Sequence, residues 1–281
     1  MRLGLTTGFG TVGPPDDVAA LVAHAEAVGF DSVWLTEHVV VPVDHAPRYP
    51  YTDDGRLPIG AGADLPDPLT WLAFAAAHTR RLLLGTGCLV LPQRNPVVLA
   101  KEAATVDRLS GGRLRLGVGL GWMREEAEAV GSAWEDRADR VEEGIALLRD
   151  LWSPGPSALP GGPALSLPAP SAGTVPIVVC GPSRAAARRA GRVGDGYLCG
   201  HRDPEVVADR LAALRAAATD AGRDPDGIEV TVGATPRLRT LEAMAALGVH
   251  RAFVTLPCRG AERDRAALDR LAPLVEAAAA L

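Results

Sequence analysis

Apolar residues in this chain follow two rhythms that alternate from end to end. In VAALVAHAEAVGF, Val18, Leu21, Val22, Ala25 and Val28 recur at three- and four-residue intervals, the spacing of one helix face. Pro14 and Pro15 with Asp16 and Asp17 make a helix start, and Gly29 makes a stop. The next stretch, DSVWLTEH, opens on a short unbroken apolar run, the pattern of a strand covered on both faces. The same unit returns as PEVVADRLAALRAAATDAG before GIEVTVG, and again as TLEAMAALG before VHRAFVTL.

Eight such strands can be counted, near residues 2–6, 32–36, 82–87, 113–119, 176–180, 196–200, 228–232 and 251–256, with helical segments between them. Alternating βα units in this number predict a single closed eight-stranded (β/α)8 barrel of the TIM type over residues 1–281. An open doubly wound sheet is the alternative, and the count of eight βα units favours closure. Two connections are too long for turns. Residues 40–66 follow strand 2 and carry Arg48, Tyr49, Tyr51, Asp53, Asp54 and Arg56; they leave the strand end where barrel enzymes keep their sites and are read as a substrate lid. Residues 153–174, before strand 5, are rich in Pro and Gly with almost no charge and are read as a disordered surface connection.

Composition narrows the function classes. The chain has 281 residues, 47% hydrophobic and 22% charged, with a net charge of −5, which suits a globular fold with a sizeable core. No block of Lys or Arg stands out, so nucleic acid is not an expected partner. No apolar run approaches the length of a membrane span or a signal peptide, so no membrane role is expected. Cys88, Cys180, Cys199 and Cys258 are far apart and form no CxxC, which points to a reduced, cytoplasmic protein without disulfides. With His38 and His201 they could be drawn into a zinc site, but no ligand spacing supports it and no metal is expected.

Four stretches can carry chemistry. Strand 2 runs into Glu37-His38; taken alone the pair is a solvated strand end, whereas at the C-terminal mouth of a barrel it is a site, with His suited to proton transfer near neutral pH. GTGCLVLPQRNP (85–96) ends strand 3 in Gly85-Thr86-Gly87 before Cys88, a pattern of a bulge or of close backbone approach to a ligand. Asn95-Pro96 in the same stretch reads as a helix N-cap followed by the first helical residue. In LGVGLGWMREE, Gly117, Gly119 and Gly121 clear one face, for a flat ligand or for a ring such as Trp122 lying across the strand. Last, strand 5 leads into Gly181-Pro182-Ser183 and a helix; the turn is either an anion site at a helix N-terminus or an ordinary cap at Ser183.

Together, GFDSVWLTEH, LLLGTGCLVLPQRNPVVLAKEAATVDRLSGGRLRLGVGLGW and GPSRAAARRAGRVGDGY resemble the bacterial luciferase-like family, and within it the deazaflavin (coenzyme F420)-dependent oxidoreductases. The resemblance runs from residue 1 to about 200 and is strongest over 80–122. It implies the (β/α)8 barrel and hydride transfer between F420 and a small organic substrate, with FMN as the alternative cofactor. It gives His38 a catalytic place beside the reactive ring and Glu37 that of its acidic neighbour. It implies a non-proline cis peptide at Gly87–Cys88, in a bulge backing the ring together with Thr86, and draws Asn95 into the cofactor site. Gly119, Gly121, Trp122 and Glu125 would border the cofactor's side chain, and Gly181, Pro182 and Ser183 would meet its phosphate. Relatives that oxidise sugar phosphates carry Glu where this chain has Trp122, which favours a more apolar substrate. The resemblance also implies a homodimer. Its two other readings are an FMN-dependent two-component monooxygenase served by a flavin reductase, and a flavin- or deazaflavin-binding protein without turnover.

Overall fold

The computed structural model describes residues 1–7, 13–46, 48–60, 62–158, 162–256, 258 and 260–281. Its parallel strands are β1 (Arg2–Thr6), β2 (Ser32–Leu35), β3 (Leu83–Thr86), β4 (Leu114–Gly119), β5 (Ile177–Cys180), β6 (Gly196–Cys199), β7 (Glu229–Gly233) and β8 (Arg251–Thr255). Neighbours pair in sequence order, β1 pairs with β8, and β3 pairs with β4, so the sheet closes into the eight-stranded barrel. The helices are α1 (Pro15–Val28), α2 (Pro68–Ala77), α3 (Pro96–Ser110), α4 (Arg124–Ala129), α5 (Arg137–Trp152), α6 (Arg184–Val193), α7 (Pro204–Asp220), α8 (Leu238–Ala246) and α9 (Ala261–Ala279).

The strands are apolar on both faces because each packs helices outside and other strands' side chains inside. Val33, Leu84, Leu114, Leu116 and Ile177 are fully buried within the main hydrophobic core, as are the helix residues Leu72, Leu99, Ala103 and Leu148. Helix starts follow their capping chemistry: Asp67 accepts from the Thr70 N–H, Asn95 from the Val97 and Val98 N–H groups, and Asp203 from the Glu205 N–H, with Pro next in each case.

Inside the barrel, Trp34 lies across the sheet. A Cβ on Gly85 would fall 2.2 Å from its ring, so the missing side chain there is the space Trp34 fills. With Val178, Cys180 and Leu198 it forms a second buried cluster, separate from the outer core. Below it, at the N-terminal end, Arg251 is fully buried and bonds Asp31 at 2.7 and 3.0 Å and also Glu229.

One of the two long connections differs from expectation. The 153–174 segment is tied down rather than loose. Ser157–Ala158 pairs antiparallel with Ala164–Leu165, and the Ser171 N–H donates to the Asp107 carboxylate at 2.7 Å. The 40–66 segment folds over the C-terminal mouth. Residues 47, 61 and 159–161 of these connections lie outside the described residues.

Candidate active site

The site begins with a bulge. Gly85 pairs with Arg115, an offset of 115 − 85 = 30, whereas Leu89 pairs with Val118, an offset of 118 − 89 = 29. One extra residue is therefore accommodated between Gly85 and Leu89, and the Gly87–Cys88 peptide within that span is cis. The bulge pushes backbone towards β4. A Cβ on Gly117 would meet the Thr86 carbonyl oxygen at 1.8 Å, and one on Gly119 would meet the Cys88 Sγ at 2.4 Å. The glycines of LGVGLG thus make room for the chain's own bulge, which is why they recur at every second position. Gly121 packs against Val90 in the same way. The Thr86 hydroxyl is committed to the Gly117 carbonyl at 2.7 Å, and Asn95 to its helix cap.

Glu37 and His38 have separate partners. The Glu37 N–H donates to the Cys88 carbonyl, and its buried carboxylate accepts from the Val90 N–H at 2.6 Å and from Arg94 through Nε at 2.9 Å and a terminal nitrogen. Burial pushes the Glu37 carboxyl up, against the pull of Arg94. Glu37 is thus a strut that fastens the bulge to the end of β2, and it does not orient His38. That role falls to Glu126, which sequence reasoning passed over. Its Oε2 lies 2.9 Å from His38 Nδ1, its Oε1 accepts the Val39 N–H at 2.6 Å, and both side chains are buried, at 5% and 1% exposure. A carboxylate partner accepts, so the pairing favours the ring form that carries a proton on Nδ1. The signal was present in the sequence: Glu125-Glu126 opens α4 directly after the glycine-rich turn. Glu125 accepts the Ala46 N–H at 2.9 Å, so the first turn of α4 holds both ends of segment 39–46.

A chain of rings crosses the mouth. Trp122 meets His38 edge-on at 5.8 Å, His45 at 5.6 Å and Tyr49 at 5.2 Å; Tyr49 meets Tyr51 at 5.6 Å, and Tyr51 meets His201 at 6.0 Å. Tyr51 packs on Gly200, where a Cβ would lie 2.7 Å from its ring. Burial raises the phenol of Tyr49 to about 12 and that of Tyr51 well above its ordinary value. Beneath these rings lies a cavity of about 830 Å³, floored by Trp34, Gly87 and Leu198 and walled by Tyr49, Phe253 and Thr255. Of the residues named from the sequence, Gly87 lines it, as do Tyr49, Tyr51 and Asp53 of the lid and His201. His38 is not among its lining residues; its ring meets Trp122 edge-on.

At the Gly181-Pro182-Ser183 turn, Ser183 caps α6 by accepting the Ala186 N–H at 3.1 Å. The Gly181 carbonyl accepts from the Tyr197 hydroxyl, and the Pro182 carbonyl accepts from Arg210. Arg184 and Arg189 pair with Asp209 and Glu142. The turn is held by these bonds and stands at the positive end of a helix dipole. Among the described residues, no group of three or more His, Cys, Asp or Glu is placed to hold a metal ion, and no helix is long and apolar enough to cross a membrane.

A closed barrel, a bulged third strand with a cis peptide and a roofed cavity at the C-terminal mouth define the class, and sequence comparison agrees. The luciferase-like monooxygenase family profile matches residues 2–279, and the chain belongs to that family. It is 30% identical over 260 residues to an uncharacterized protein of Mycobacterium tuberculosis, covering 90% of this chain and 92% of that one. It is 31% identical over 229 residues to the F420-dependent glucose-6-phosphate dehydrogenase of Amycolatopsis mediterranei, covering 78% of this chain and 64% of the enzyme. Against the enzyme of that name from Beutenbergia cavernae it is 37% identical over 194 residues, or 66% of this chain and 52% of that one. The chain thus matches just under two thirds and about half of those two dehydrogenases. In fold it is similar to a monooxygenase of Streptomyces bottropensis (TM-score 0.76, 23% identity, 97% and 98% covered). It is also similar to the coenzyme F420-dependent tetrahydromethanopterin reductase of Methanopyrus kandleri (TM-score 0.73, 16% identity, 94% and 95% covered). This chain is therefore a luciferase-like oxidoreductase with a site suited to a deazaflavin or flavin.

Proposed function

We propose that the protein is an F420-dependent oxidoreductase that moves a hydride between the deazaflavin and a small organic substrate. The observation that carries this reading is the mouth cavity, about 830 Å³ and roofed by aromatic rings, in a chain whose relatives include enzymes named for F420 dependence. Its volume suits a flat cofactor and a small substrate together. The cofactor supplies the hydride chemistry, and the protein supplies orientation and a dry enclosure. The bulge at Gly87 forms a floor with no side chain, Tyr49 and Tyr51 limit water from above, and the α6 N-terminus favours an anionic group. His38, its tautomer held by Glu126, is the residue we assign to proton handling behind the Trp122 ring. Trp122 in place of a carboxylate favours a substrate less polar than a sugar.

Titration of the purified protein with F420 and with FMN, followed by deazaflavin fluorescence and flavin absorbance, tests the cofactor. Preferential F420 binding is expected; preferential FMN binding would move the reading to a two-component monooxygenase with a reductase partner, in a family described as luciferase-like monooxygenases. Replacement His38→Ala should lower turnover more than F420 binding, and unchanged turnover would remove His38 from the chemistry.

A further inference from the structure

The end of β6 leads into Gly200-His201-Arg202, and the last two side chains line the mouth cavity. Arg202 donates to the Thr255 hydroxyl at 3.1 Å, and among the described residues no carboxylate forms an ion pair with it. Two acids share the cavity wall, and among the described residues neither forms an ion pair with Arg202. Asp203 is committed to the α7 cap through the Glu205 N–H at 2.9 Å, and Asp53 belongs to the lid. Burial lowers the pKa of His201, with Arg210 adding to the effect, and among the described lining residues Arg202 carries the permanent positive charge. The floor and part of the wall are apolar, from Trp34, Leu198, Phe253, Ile59 and Leu256, and Thr6, Thr7 and Thr36 add hydroxyls without charge. A guanidinium at one pole of an apolar chamber recognises an oxyanion, because its planar fork matches a carboxylate or phosphate.

We infer that the substrate of this cavity has an apolar, ring-sized body and one oxyanion group, a carboxylate or a phosphate, which Arg202 grips with help from Thr255. This rests on the proposed function only in placing the substrate in the mouth cavity. Arg202 is thereby a specificity-determining residue. It leaves the transferred hydride untouched and fixes which end of the substrate points away from the Gly87 floor.

The test is calorimetric titration of the full-length protein, with and without F420, using benzoate, phenyl phosphate and benzamide as probes. Benzamide keeps the body and loses the charge, and the two anions distinguish carboxylate from phosphate. The expected result is binding of at least one anion tenfold or more tighter than benzamide, with that preference lost in Arg202→Gln and largely kept in Arg202→Lys. Arg202 is exposed and makes one hydrogen bond, so both variants should fold. Equal binding of benzamide and the anions would overturn the inference, as would an unchanged preference in Arg202→Gln. A tenfold loss of F420 affinity in Arg202→Gln would also overturn it, because the guanidinium would then serve the cofactor. If F420 fails to bind while the anion preference holds in the cofactor-free protein, the cofactor assignment fails and the substrate class stands.

Discussion

The two ends of the barrel use charge in opposite ways. At the N-terminal floor the buried charges are spent on the fold. Arg251 is fully buried between Asp31 and Glu229; burial works against its charge, and the two acids more than offset it, raising its pKa. Around it, Arg113 bonds the carbonyls of Ala76, Thr79, Leu82 and Ser110, and Glu26 takes the N–H groups of residues 80–82. At the C-terminal mouth, carboxylates hold loops and a histidine instead, and Arg202 faces a cavity. The floor is built to stay closed and the mouth to receive something. That division is the one the fold permits, since strand C-termini end in long, variable loops.

The comparison can be broken most forcefully at the floor. Arg251→Met strands two acids at the barrel end and should cost about 3–5 kcal/mol, read by urea unfolding, while F420 affinity of the folded fraction stays near wild type. A loss of affinity with full stability would mean that the floor and mouth are not separable. Next comes Gly119→Ala, which drives a methyl into the Cys88 sulfur and should cost about 1–3 kcal/mol while reshaping the bulge; weaker F420 binding together with lower stability is the expected pair of results. Glu126→Gln retains one acceptor where the carboxylate offers two, so His38 or Val39 loses its partner, at a cost on the order of 1 kcal/mol. Nitrogen-15 spectra of the histidines should then show His38 leaving its single Nδ1–H tautomer, whereas Glu37→Gln should leave that signal in place. Gly200→Ala crowds the Tyr51 ring on the lid, and a stability change within about 0.5 kcal/mol is expected alongside altered substrate binding.

The smallest effect is a pH effect at the floor. Burial opposes ionisation of Glu26, yet the three backbone N–H bonds outweigh it and hold its carboxyl below the ordinary 4.5. A lowered folded-state pKa contributes stability that is present above 4.5 and lost as pH falls through the lowered value. The difference in thermal midpoint between wild type and Glu26→Gln should therefore shrink as the pH drops below 4.5. A constant difference would count against the capping role.

The barrel was legible because eight apolar runs alternating with helical periodicity leave few other architectures. Asn95 and Gly29 were legible as local signals for the same reason, since capping depends on neighbours in sequence. The glycine motif was harder: its alternation marked a face without side chains, but what fills that face, the bulge carrying Thr86 and Cys88, arrives from thirty residues away. Glu37 and Glu126 show the limit most clearly. Adjacency in sequence paired Glu37 with His38, whereas successive side chains leaving a strand point apart, so Glu37 turns to Arg94 and the imidazole finds Glu126, eighty-eight residues on. His201 and Arg202 carried no motif at all and acquired meaning once the lid folded over them.

By itself, then, the order of apolar and polar residues determined the fold class, the helix boundaries and the face of the barrel that holds the site, because periodicity, capping and strand burial are local or repeated constraints. Only the tertiary structure decided which carboxylate meets which partner, which histidine faces the cavity and that the Arg202 guanidinium stands at it, because those depend on loops from separate strands converging at one mouth.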